Sequence, residues 1–409
     1  MDVIGKKKTM KICILSPSDK TFTSEFLSNY SYESLPEGYR GAPFIGTLIK
    51  ELLNRGNEIM AITTTNVVDG DYTVKEFTNG NFKWIVVPQR KHAFWFNGFK
   101  LGRMLDFFYL ERKEMLKMVK LNKPDIIHAH WGYEFAHVAI SSGFPCLITL
   151  HDNPFKIAKY FKNIYRYFRL IYAELLFSKI KFKSSVSPYM EDYISRTSGD
   201  YRIIPNPINI YFTSEEIENI IRLRANSINN LKIVMILNGW DQRKNGLNGL
   251  LAFKLVQQQY PNAELHLYGQ GSELNGKANI DANKNKIENV FFHGSIPNAV
   301  LKSSLSDCHI LLHPALEESF GVVLTEAMSM GIPTIGGNKS GAVPWVINND
   351  LLLTDVLNPV KMSQTILMCL ENYNQFALQA FENVQSRFSS KLVGDAYVSY
   401  YKYILNYEN

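Results

Sequence analysis

Two glutamates stand eight residues apart around a glycine turn in the segment HPALEESFGVVLTEAMSMGIPTIGG, residues 313–337. Glu318 precedes Phe320 and Gly321, and Glu326 follows in a stretch that reads as a helix. The start of such a helix suits a diphosphate, because its N–H groups are unpaired, and Gly321 would let the backbone come close. Glu326 can then accept both hydroxyls of a ribose, while Glu318 can meet a second polyol such as a sugar ring. The alternative is that both are solvent-facing residues at a helix start, where acids favour the dipole.

Most predicted strands end in residues that can bind a ligand or take part in catalysis, whereas their interiors are Ile, Leu and Val. In open parallel sheets, ligands bind at the carboxyl ends of the strands. The ends therefore predict a cleft between two facing domains. His128 and His130 alternate onto one face of a strand, but two histidines without further ligand spacing do not make a metal site. The strand ends in question are Ser16-Pro17, His128-Ala-His130-Trp131, His151-Asp152, Gly239, Gly269-Gln-Gly271, His293-Gly294 and His313-Pro314.

Short apolar runs alternate with amphipathic stretches of helical length. Strands that are apolar on both faces and separated by helices indicate parallel sheets covered on both sides. Ala42 to Arg55 reads as one such helix, closed by Gly56. Two series of runs predict an α/β chain of two doubly wound domains, joined near Asn206-Pro207 and the polar stretch 213–230. The runs are 11–17, 58–64, 83–88, 125–130 and 146–151, then 232–239, 264–269, 290–295, 308–314 and 332–337.

Length and composition limit the class of protein. A chain of 409 residues predicts two or three domains, and 46% hydrophobic with 20% charged residues excludes disordered and fibrous classes. The four cysteines lie far apart, which favours reduced thiols in the cytoplasm. No stretch approaches the roughly 18 uncharged apolar residues of a membrane span. Residues 1–10 lack the apolar run of a secretory signal and are expected to form a loose tail.

The glutamate segment resembles the E-x7-E signature of the family 4 retaining glycosyltransferases, also described as glycosyl transferases group 1. The resemblance extends over nearly the whole chain. It includes PDIIHAHW (124–131), ITLHD (148–152), RIIPNPIN (202–209), ELHLYGQG (264–271), FFHGSIPN (291–298) and the turn at Gly341.

The resemblance implies the GT-B architecture, in which two Rossmann-like domains face each other across a cleft. Residues 11–207 would form the acceptor-binding domain and residues 208–389 the domain that binds the nucleotide sugar. The last helix, within residues 390–409, would cross back to the first domain.

The resemblance also assigns roles. Glu326 would hold the ribose and Glu318 the hydroxyls of the donor sugar, while the amides of Phe320 and Gly321 would face the phosphates or the sugar. Arg243 and Lys244 would neutralise the diphosphate, whose charge grows as the glycosidic bond breaks. The alternative for this pair is a solvated turn. His151 would lie near the reaction centre; a lone histidine at a strand end is otherwise structural. The remaining donor-site positions are Ser319, Gly239, Gly269 and Gly41.

Three positions depart from the family pattern. Trp240 stands where many members have an arginine after glycine, and Lys244 is followed by Asn245 rather than glycine. The glycine loop before the first long helix reads Gly41-Ala42-Pro43 instead of Gly-Gly. These departures keep two alternatives open: a catalytically inactive GT-B partner protein, and a GT-B sugar-nucleotide epimerase.

The implied reaction is hexosyl transfer from a UDP- or GDP-sugar to a glycan or lipid-linked acceptor in surface polysaccharide biosynthesis. The donor is a substrate, and the resemblance implies neither a tightly bound cofactor nor a metal. No pair of carboxylates resembles that of a hydrolase.

Two basic segments rich in aromatic residues account for the net charge of +6. Residues 89–124 hold nine Lys or Arg against three acids, and residues 153–186 hold eight against one. Such segments predict contact with an anionic membrane surface, and hence a cytoplasmic protein that is peripheral on the inner face of the cell membrane. The alternative is two solvated helices whose aromatic residues fill the core. No recognised nucleic-acid module is present.

Overall fold

A computed structural model describes residues 9–66 and 71–408. The chain divides into two compact units. The first contains the described residues up to Val186, then Met190–Pro207 and the residues from Val393 onward; the second contains Ser187–Tyr189 and Ile208–Leu392. Of the predicted tail, residues 1–8 lie outside the described residues. Met10 is buried and its N–H donates to Asn57 Oδ1 at 3.2 Å, so it is part of the fold.

The first unit contains an eight-stranded sheet in the order β3-β4-β2-β1-β5-β6-β7-β8. Its described neighbours are parallel except β3 and β4, which form an antiparallel hairpin. Apolar strands pack between helices on both faces, as expected of a doubly wound sheet. The strands are β1 (Lys11–Leu15), β2 (Glu58–Asn66), β3 (Lys75–Asn79), β4 (Phe82–Gln89), β5 (Ile126–His130), β6 (Cys146–Leu150), β7 (Phe182–Ser185) and β8 (Asp200–Ile203).

Helices of this unit begin and end where local chemistry dictates. The predicted helix 42–55 is confirmed as α2, with a proline in its first turn and Gly56 beyond its end at φ +82°. The helices are α1 (Lys20–Thr23), α2 (Pro43–Asn54), α3 (Tyr109–Asn122), α4 (Glu134–Ser142), α5 (Pro154–Tyr160), α6 (Ile164–Phe177) and α7 (Glu191–Ile194).

The second unit contains a six-stranded sheet in the order β11-β10-β9-β12-β13-β14, whose described neighbours are all parallel. Because β9 lies between β10 and β12, the loops that follow these three strands leave the same edge of the sheet. The strands are β9 (Lys232–Ile236), β10 (Glu264–Tyr268), β11 (Val290–Gly294), β12 (Ile310–His313), β13 (Thr334–Gly337) and β14 (Leu353–Thr354).

The sequence predicts that the polar stretch 213–230 belongs to the domain join, but most of it is a helix of the second unit. Thr213 and Glu216 form a capping box, and Ile217 and Ile221 are buried. The helices that follow are α8 (Ser214–Ala225), α9 (Gly246–Val256), α10 (Lys277–Lys284), α11 (Asn298–Leu305), α12 (Val322–Met328), α13 (Val343–Ile347), α14 (Pro359–Glu371), α15 (Tyr373–Phe388) and α16 (Ser390–Glu408).

From Val393 onward, α16 packs within the first unit. Tyr400 donates its hydroxyl to the carbonyl of Asp200 at 3.0 Å, and Arg55 Nη1 lies 2.6 Å from Asp395 Oδ1. Among the described residues, no helix combines the length and the apolar character that crossing a bilayer requires.

All ten strands predicted from apolar runs are present, and the described part of the chain contains four further strands that the runs did not predict. β3 (KEFTN) is a polar edge strand, β7 (FKSS) and β8 (DYRI) carry Lys183 and Arg202, and β14 has two residues. A run of hydrophobic residues in the sequence marks only those strands whose own side chains are mostly apolar. A strand that pairs at an edge or houses a satisfied lysine gives no such signal.

Candidate functional site

In the second unit, the loops after β9 and β12 bring a lysine and a glutamate together. Lys244 Nζ forms a short ion pair with Glu318 Oε1 across 74 residues of sequence. Lys244 is itself buried, and its N–H donates to Asp241 Oδ1 at 3.1 Å, which holds the loop. The pair follows from the sheet order, since β9 and β12 are parallel neighbours.

Glu318 is held as a carboxylate. Burial alone would raise its pKa, but the charge of Lys244 and the nearby His313 outweigh burial, so the pKa of Glu318 lies below its usual value. His313 Nε2 lies 3.4 Å from Glu318 Oε1. An ionised carboxylate only accepts hydrogen bonds, so Glu318 is suited to hydroxyl donors.

Arg243 points to a second acid of the same loop. Its Nη1 lies 3.4 Å from Glu317 Oε2 and donates to the Glu317 carbonyl at 3.3 Å. Both cations predicted to face a diphosphate thus contact adjacent glutamates, and a solvated turn does not describe them.

The turn between the two motif glutamates is built as the sequence indicates. Gly321 adopts φ +81° immediately before α12, a conformation that favours glycine. The backbone of Glu318 is fixed by Gly341 and Ala342: the Ala342 N–H donates to the Glu318 carbonyl at 2.9 Å, and a Cβ on Gly341 would approach that oxygen to 2.4 Å. The Phe320 ring is buried against Phe388, so only its backbone is available to a ligand. Ser319 is also buried, and its carbonyl accepts from Ser187 Oγ at 2.5 Å.

Glu326 lies in the middle of α12 and is buried, so it is not a solvent-facing residue at a helix start. Asn298 Nδ2 donates to its Oε1 at 2.9 Å. Burial raises the pKa of Glu326, and the hydrogen bond from Asn298 and the charge of Lys302 offset this only in part. A buried carboxyl with one oxygen held by an amide is suited to a fixed polar ligand such as a vicinal diol.

Gly239 and Gly269 follow β9 and β10 with φ +117° and +106°. A Cβ on Gly269 would stand 2.1 Å from the Leu237 carbonyl oxygen, so only glycine fits there. Trp240 lies against Gly246 and Gly271 and donates from Nε1 to Asp281 Oδ2 at 2.8 Å. The residue that replaces the expected arginine is therefore packed into its own domain.

In the first unit, His151 follows β6 in a cluster of aromatic rings. Its Nε2 lies 2.9 Å from His130 Nδ1, and the centre of its ring lies 4.3 Å from the centre of the Trp131 ring. The ring of Phe44, on the first turn of α2, lies 5.0 Å away, which brings the Gly41 loop close to the cluster. Gly41 has φ +118°, and a Cβ there would meet no atom within 4 Å.

A buried polar chain continues from the strands to α16. His128 contacts Tyr401 Oη through Nδ1 and Thr149 Oγ1 through Nε2, both at 2.7 Å. Burial lowers the pKa of His128 and of His151 to about 3, and that of His130 well below its usual value. The three rings are therefore neutral at physiological pH.

Two buried polar atoms at this edge have no hydrogen-bond partner within residues 9–66 and 71–408: Ser16 Oγ and His130 Nε2. Ser16 follows β1, and His130 ends the neighbouring strand β5, where Leu15 pairs with Ala129. Buried polar groups are normally satisfied, so a water molecule or a polar ligand is expected to hydrogen-bond to these atoms.

Three residues of this chemistry had no assigned role in the sequence. In the sequence, Asn298 and His313 stand within longer segments and carry no role of their own. Asn245, in the left-handed conformation, donates to the carbonyls of Pro314 and Val356 at 3.0 and 2.8 Å. The sequence does not predict these roles, because the contact that defines each role is made only in the folded chain.

Comparison with known proteins gives a consistent result. The profile described as "Glycosyltransferase Family 4" matches residues 42–212, and "Glycosyl transferases group 1" matches residues 219–385. An "Uncharacterized 41.2 kDa protein in cps region" of Klebsiella pneumoniae is 24% identical over 70% of this chain and 81% of its own. A phosphatidyl-myo-inositol mannosyltransferase of Propionibacterium freudenreichii is 23% identical over 41% of this chain and 43% of its own.

Among solved structures, sucrose-phosphate synthase from Thermosynechococcus elongatus superposes with a TM-score of 0.69 at 19% identity, over 97% of this chain and 99% of its own. This likeness confirms the predicted GT-B fold. Together the two profiles span most of the chain, one for each unit, and the motif glutamates lie inside the second. The chain therefore belongs to the family 4, or group 1, glycosyltransferases of the GT-B fold.

Proposed function

We propose that this glycosyltransferase moves a hexose, with retention of anomeric configuration, from a UDP- or GDP-sugar to a glycan or lipid-linked acceptor in surface polysaccharide biosynthesis. The observation that carries the proposal is the pair of unlike glutamates on either side of the Gly321 turn. Glu318 is a carboxylate paired with Lys244, and Glu326 is a buried carboxyl held by Asn298. In the proposal, Glu326 binds the ribose and Glu318 binds sugar hydroxyls.

Lys244 and Arg243 stabilise the leaving group. As the bond between the anomeric carbon and the diphosphate oxygen breaks, negative charge grows on the diphosphate, and fixed cations and the amides of Phe320 and Gly321 lower that barrier. The acceptor oxygen forms the new bond on the same face, and its proton passes to the departing phosphate oxygen. Donor binding is proposed to need no resident metal, because these side chains and amides supply the positive charge.

His151 is proposed to act on the acceptor side as a neutral hydrogen-bonding group. His130 holds its Nε2, which leaves Nδ1 for a substrate hydroxyl. Two relatives support the biological setting by name: one lies in a "cps region", and the other is named for a phosphatidyl-myo-inositol substrate. We place the reaction in the cytoplasm, at the inner face of the cell membrane.

The test is donor binding by calorimetry across a panel of UDP- and GDP-sugars, followed by Glu326→Ala with the best donor. We expect affinity to fall about 50-fold or more, because a buried polar site loses its acceptor. Glu382→Ala, which removes an exposed glutamate of α15, is the matched control and should bind normally.

Product analysis separates the alternatives. Transfer of the sugar to an acceptor, or slow release of the nucleoside diphosphate, supports the proposal. A sugar nucleotide inverted at one carbon of its sugar would identify an epimerase. The absence of any donor binding would identify an inactive partner protein. Wild-type affinity in Glu326→Ala would remove the ribose assignment.

A further inference from the structure

The loop between β4 and α3 exposes large aromatic side chains to solvent. Trp95 is 77% exposed, Phe96 is 68% exposed and Phe99 is fully exposed. Three such side chains within five residues form a concentrated apolar surface, which monomeric proteins seldom leave uncovered. We name residues 92–101 the aromatic tip.

The tip is an ordered turn. The N–H and carbonyl groups of Asn97 and Lys100 bond to each other at 2.8 and 3.2 Å. The Asn97 side chain joins both arms, since its Oδ1 accepts from the His92 N–H at 2.8 Å and its Nδ2 donates to the His92 carbonyl at 3.2 Å. The turn therefore holds its aromatic side chains outward instead of leaving them free to collapse onto the domain.

A buried ion cluster fixes the base of the tip. Arg90 is 1% exposed; its guanidinium lies 2.7 Å from both Asp106 and Glu111, and it donates to the Leu101 carbonyl at 2.9 Å. One basic residue of the segment 89–124 and two of its three acids are thus used internally. The charge of the tip and its flanks is positive, since residues 91–105 contain two lysines and one arginine and no acid.

The tip lies beside α6. Phe94, which precedes the exposed residues, packs its ring 5.3 Å from Phe168 and 6.4 Å from Tyr165. These contacts belong to a small apolar cluster that also contains Met104, Phe108 and Tyr172. Part of the aromatic content of both basic segments therefore does fill a core, as the alternative held.

The outer face of α6 carries the rest of the apolar surface. Ile164, Tyr167, Ile171 and Leu175 are each between 46% and 64% exposed, and their spacing of three and four residues places them in one stripe. Tyr172 and Leu176 cover the opposite, buried face. A helix with apolar residues on both faces is expected to have a second partner.

Positive charge borders this surface. Residues 153–173 contain five Lys or Arg and no acid. Arg169 is used internally, against Glu134 at 3.3 Å, whereas Lys159 and Lys162 are exposed beside the start of α6. At the tip, Lys91, His92 and Lys100 line an open cavity of about 470 Å³ together with Tyr72, Phe96 and Phe99.

From these observations we infer that the aromatic tip and the outer stripe of α6 form one docking surface for a lipid bilayer that contains anionic lipid. Trp95, Phe96 and Phe99 enter the interface, and the surrounding lysines meet phosphate headgroups. The occupant is a bilayer because the surface combines exposed aromatic residues with positive charge, and because Glu174, the one acid of α6, pairs with Arg196. The inference is independent of the donor sugar and of the roles of Glu318 and Glu326.

The test is flotation of the full chain with vesicles of phosphatidylcholine, and with vesicles in which about a third of the lipid is phosphatidylglycerol. We expect the protein to float with the anionic vesicles and to be released by high salt. Trp95→Ala/Phe96→Ala/Phe99→Ala should weaken vesicle binding about tenfold or more, because the variant lacks the three aromatic side chains that enter the bilayer when the protein binds. Lys159→Gln/Lys162→Gln should weaken it about fivefold or more.

The matched control is Leu223→Ala/Leu351→Ala/Leu357→Ala, which removes three exposed leucines of the second unit and should leave binding unchanged. Trp95→Phe should still float but lose the lipid-dependent blue shift of tryptophan fluorescence. Donor binding, measured on the same variants in solution, should stay normal, so that failure here is distinct from failure of the proposed reaction. Equal binding to both vesicle types, no binding, unchanged binding of the triple variant, or loss of a dimer instead of vesicle binding would each overturn the inference.

Discussion

The two units arrange polar chemistry at their sheet edges in opposite ways. In the second unit, buried charges are matched by opposite charges, as in Lys244 with Glu318. Around β5 and β6 of the first unit, the buried polar groups are neutral histidines, tyrosines and a threonine that bond to one another, as in His128 with Tyr401 and Thr149, whereas the ion cluster of Arg90 follows β4. The region around Glu318 is thus built from ion pairs, and the region around His128 from uncharged hydrogen bonds.

This difference predicts how each region responds to mutation and to acid. A buried ion pair is sensitive to loss of either partner, because the remaining charge is left desolvated. A neutral histidine network is sensitive to acid, because protonation places a charge where none is compensated. The contrast also fits the proposal that the second unit binds a charged diphosphate and the first the hydroxyl of an acceptor.

The largest effect is expected from Lys244→Met. Glu318 then remains largely buried without its counter-charge, and we expect the free energy of unfolding to fall by about 3–5 kcal/mol. Urea denaturation at neutral pH measures this change. Because the pKa of Glu318 is lowered in the native protein, the stability that this pair contributes is present at neutral pH and is lost as the pH falls and Glu318 takes up a proton. The difference in unfolding free energy between wild type and Lys244→Met should therefore shrink at low pH.

The double variant Lys244→Met/Glu318→Gln provides the control. Removing both charges should recover most of the stability lost in Lys244→Met. A double variant as unstable as the single one would mean that packing, not charge, sets the cost.

An intermediate effect is expected on acidification of the first unit. The pKa of His128 is about 3 in the native protein, far below its usual value, so the unfolded chain binds the proton first as the pH falls. Stability should therefore be full above about pH 6.5 and should decline below it, by up to about 1.4 kcal/mol per pH unit for each such histidine. His128→Gln should reduce this slope, as measured by unfolding between neutral and mildly acidic pH.

Tyr401→Phe is the matched control for that experiment. It removes the hydrogen bond to His128 but no group that titrates in this range, so it should lower stability by a similar amount at every pH. An unchanged slope in His128→Gln would contradict the interpretation of a neutral buried ring.

The smallest effect is expected from Asn298→Ala. The variant removes the hydrogen bond that partly offsets the raised pKa of Glu326, so the carboxylate form becomes scarcer. We expect donor affinity to fall by about 1 kcal/mol at neutral pH and to fall further as the pH is lowered. Calorimetric titration at several pH values measures both changes.

Asn219→Ala, on the exposed face of α8, should leave donor affinity unchanged. If Asn298→Ala bound the donor as tightly as wild type at every pH, Glu326 would not be the group whose ionisation controls binding.

Much of the architecture was readable because its signals are local. Ten apolar runs became ten strands, and Gly56, Gly321 and Gly269 mark turns that need their conformation. The environments of the site residues were not readable in the same way. Nothing in the sequence around Glu326 indicates that Asn298 lies against it, nor that Trp240 fills space beside Gly246 and bonds to Asp281.

The sequence by itself determined which residues carry the chemistry, because residue type, turn geometry and apolar periodicity act over a few neighbouring positions. Only the tertiary structure decided which of them meet and in which charge state. Lys244 reaches Glu318 because β9 and β12 are neighbours, and Tyr401 reaches His128 across 273 residues because α16 packs on the first sheet. Burial and pairing, which set the opposite pKa shifts of Glu318 and Glu326, are properties of the assembled neighbours.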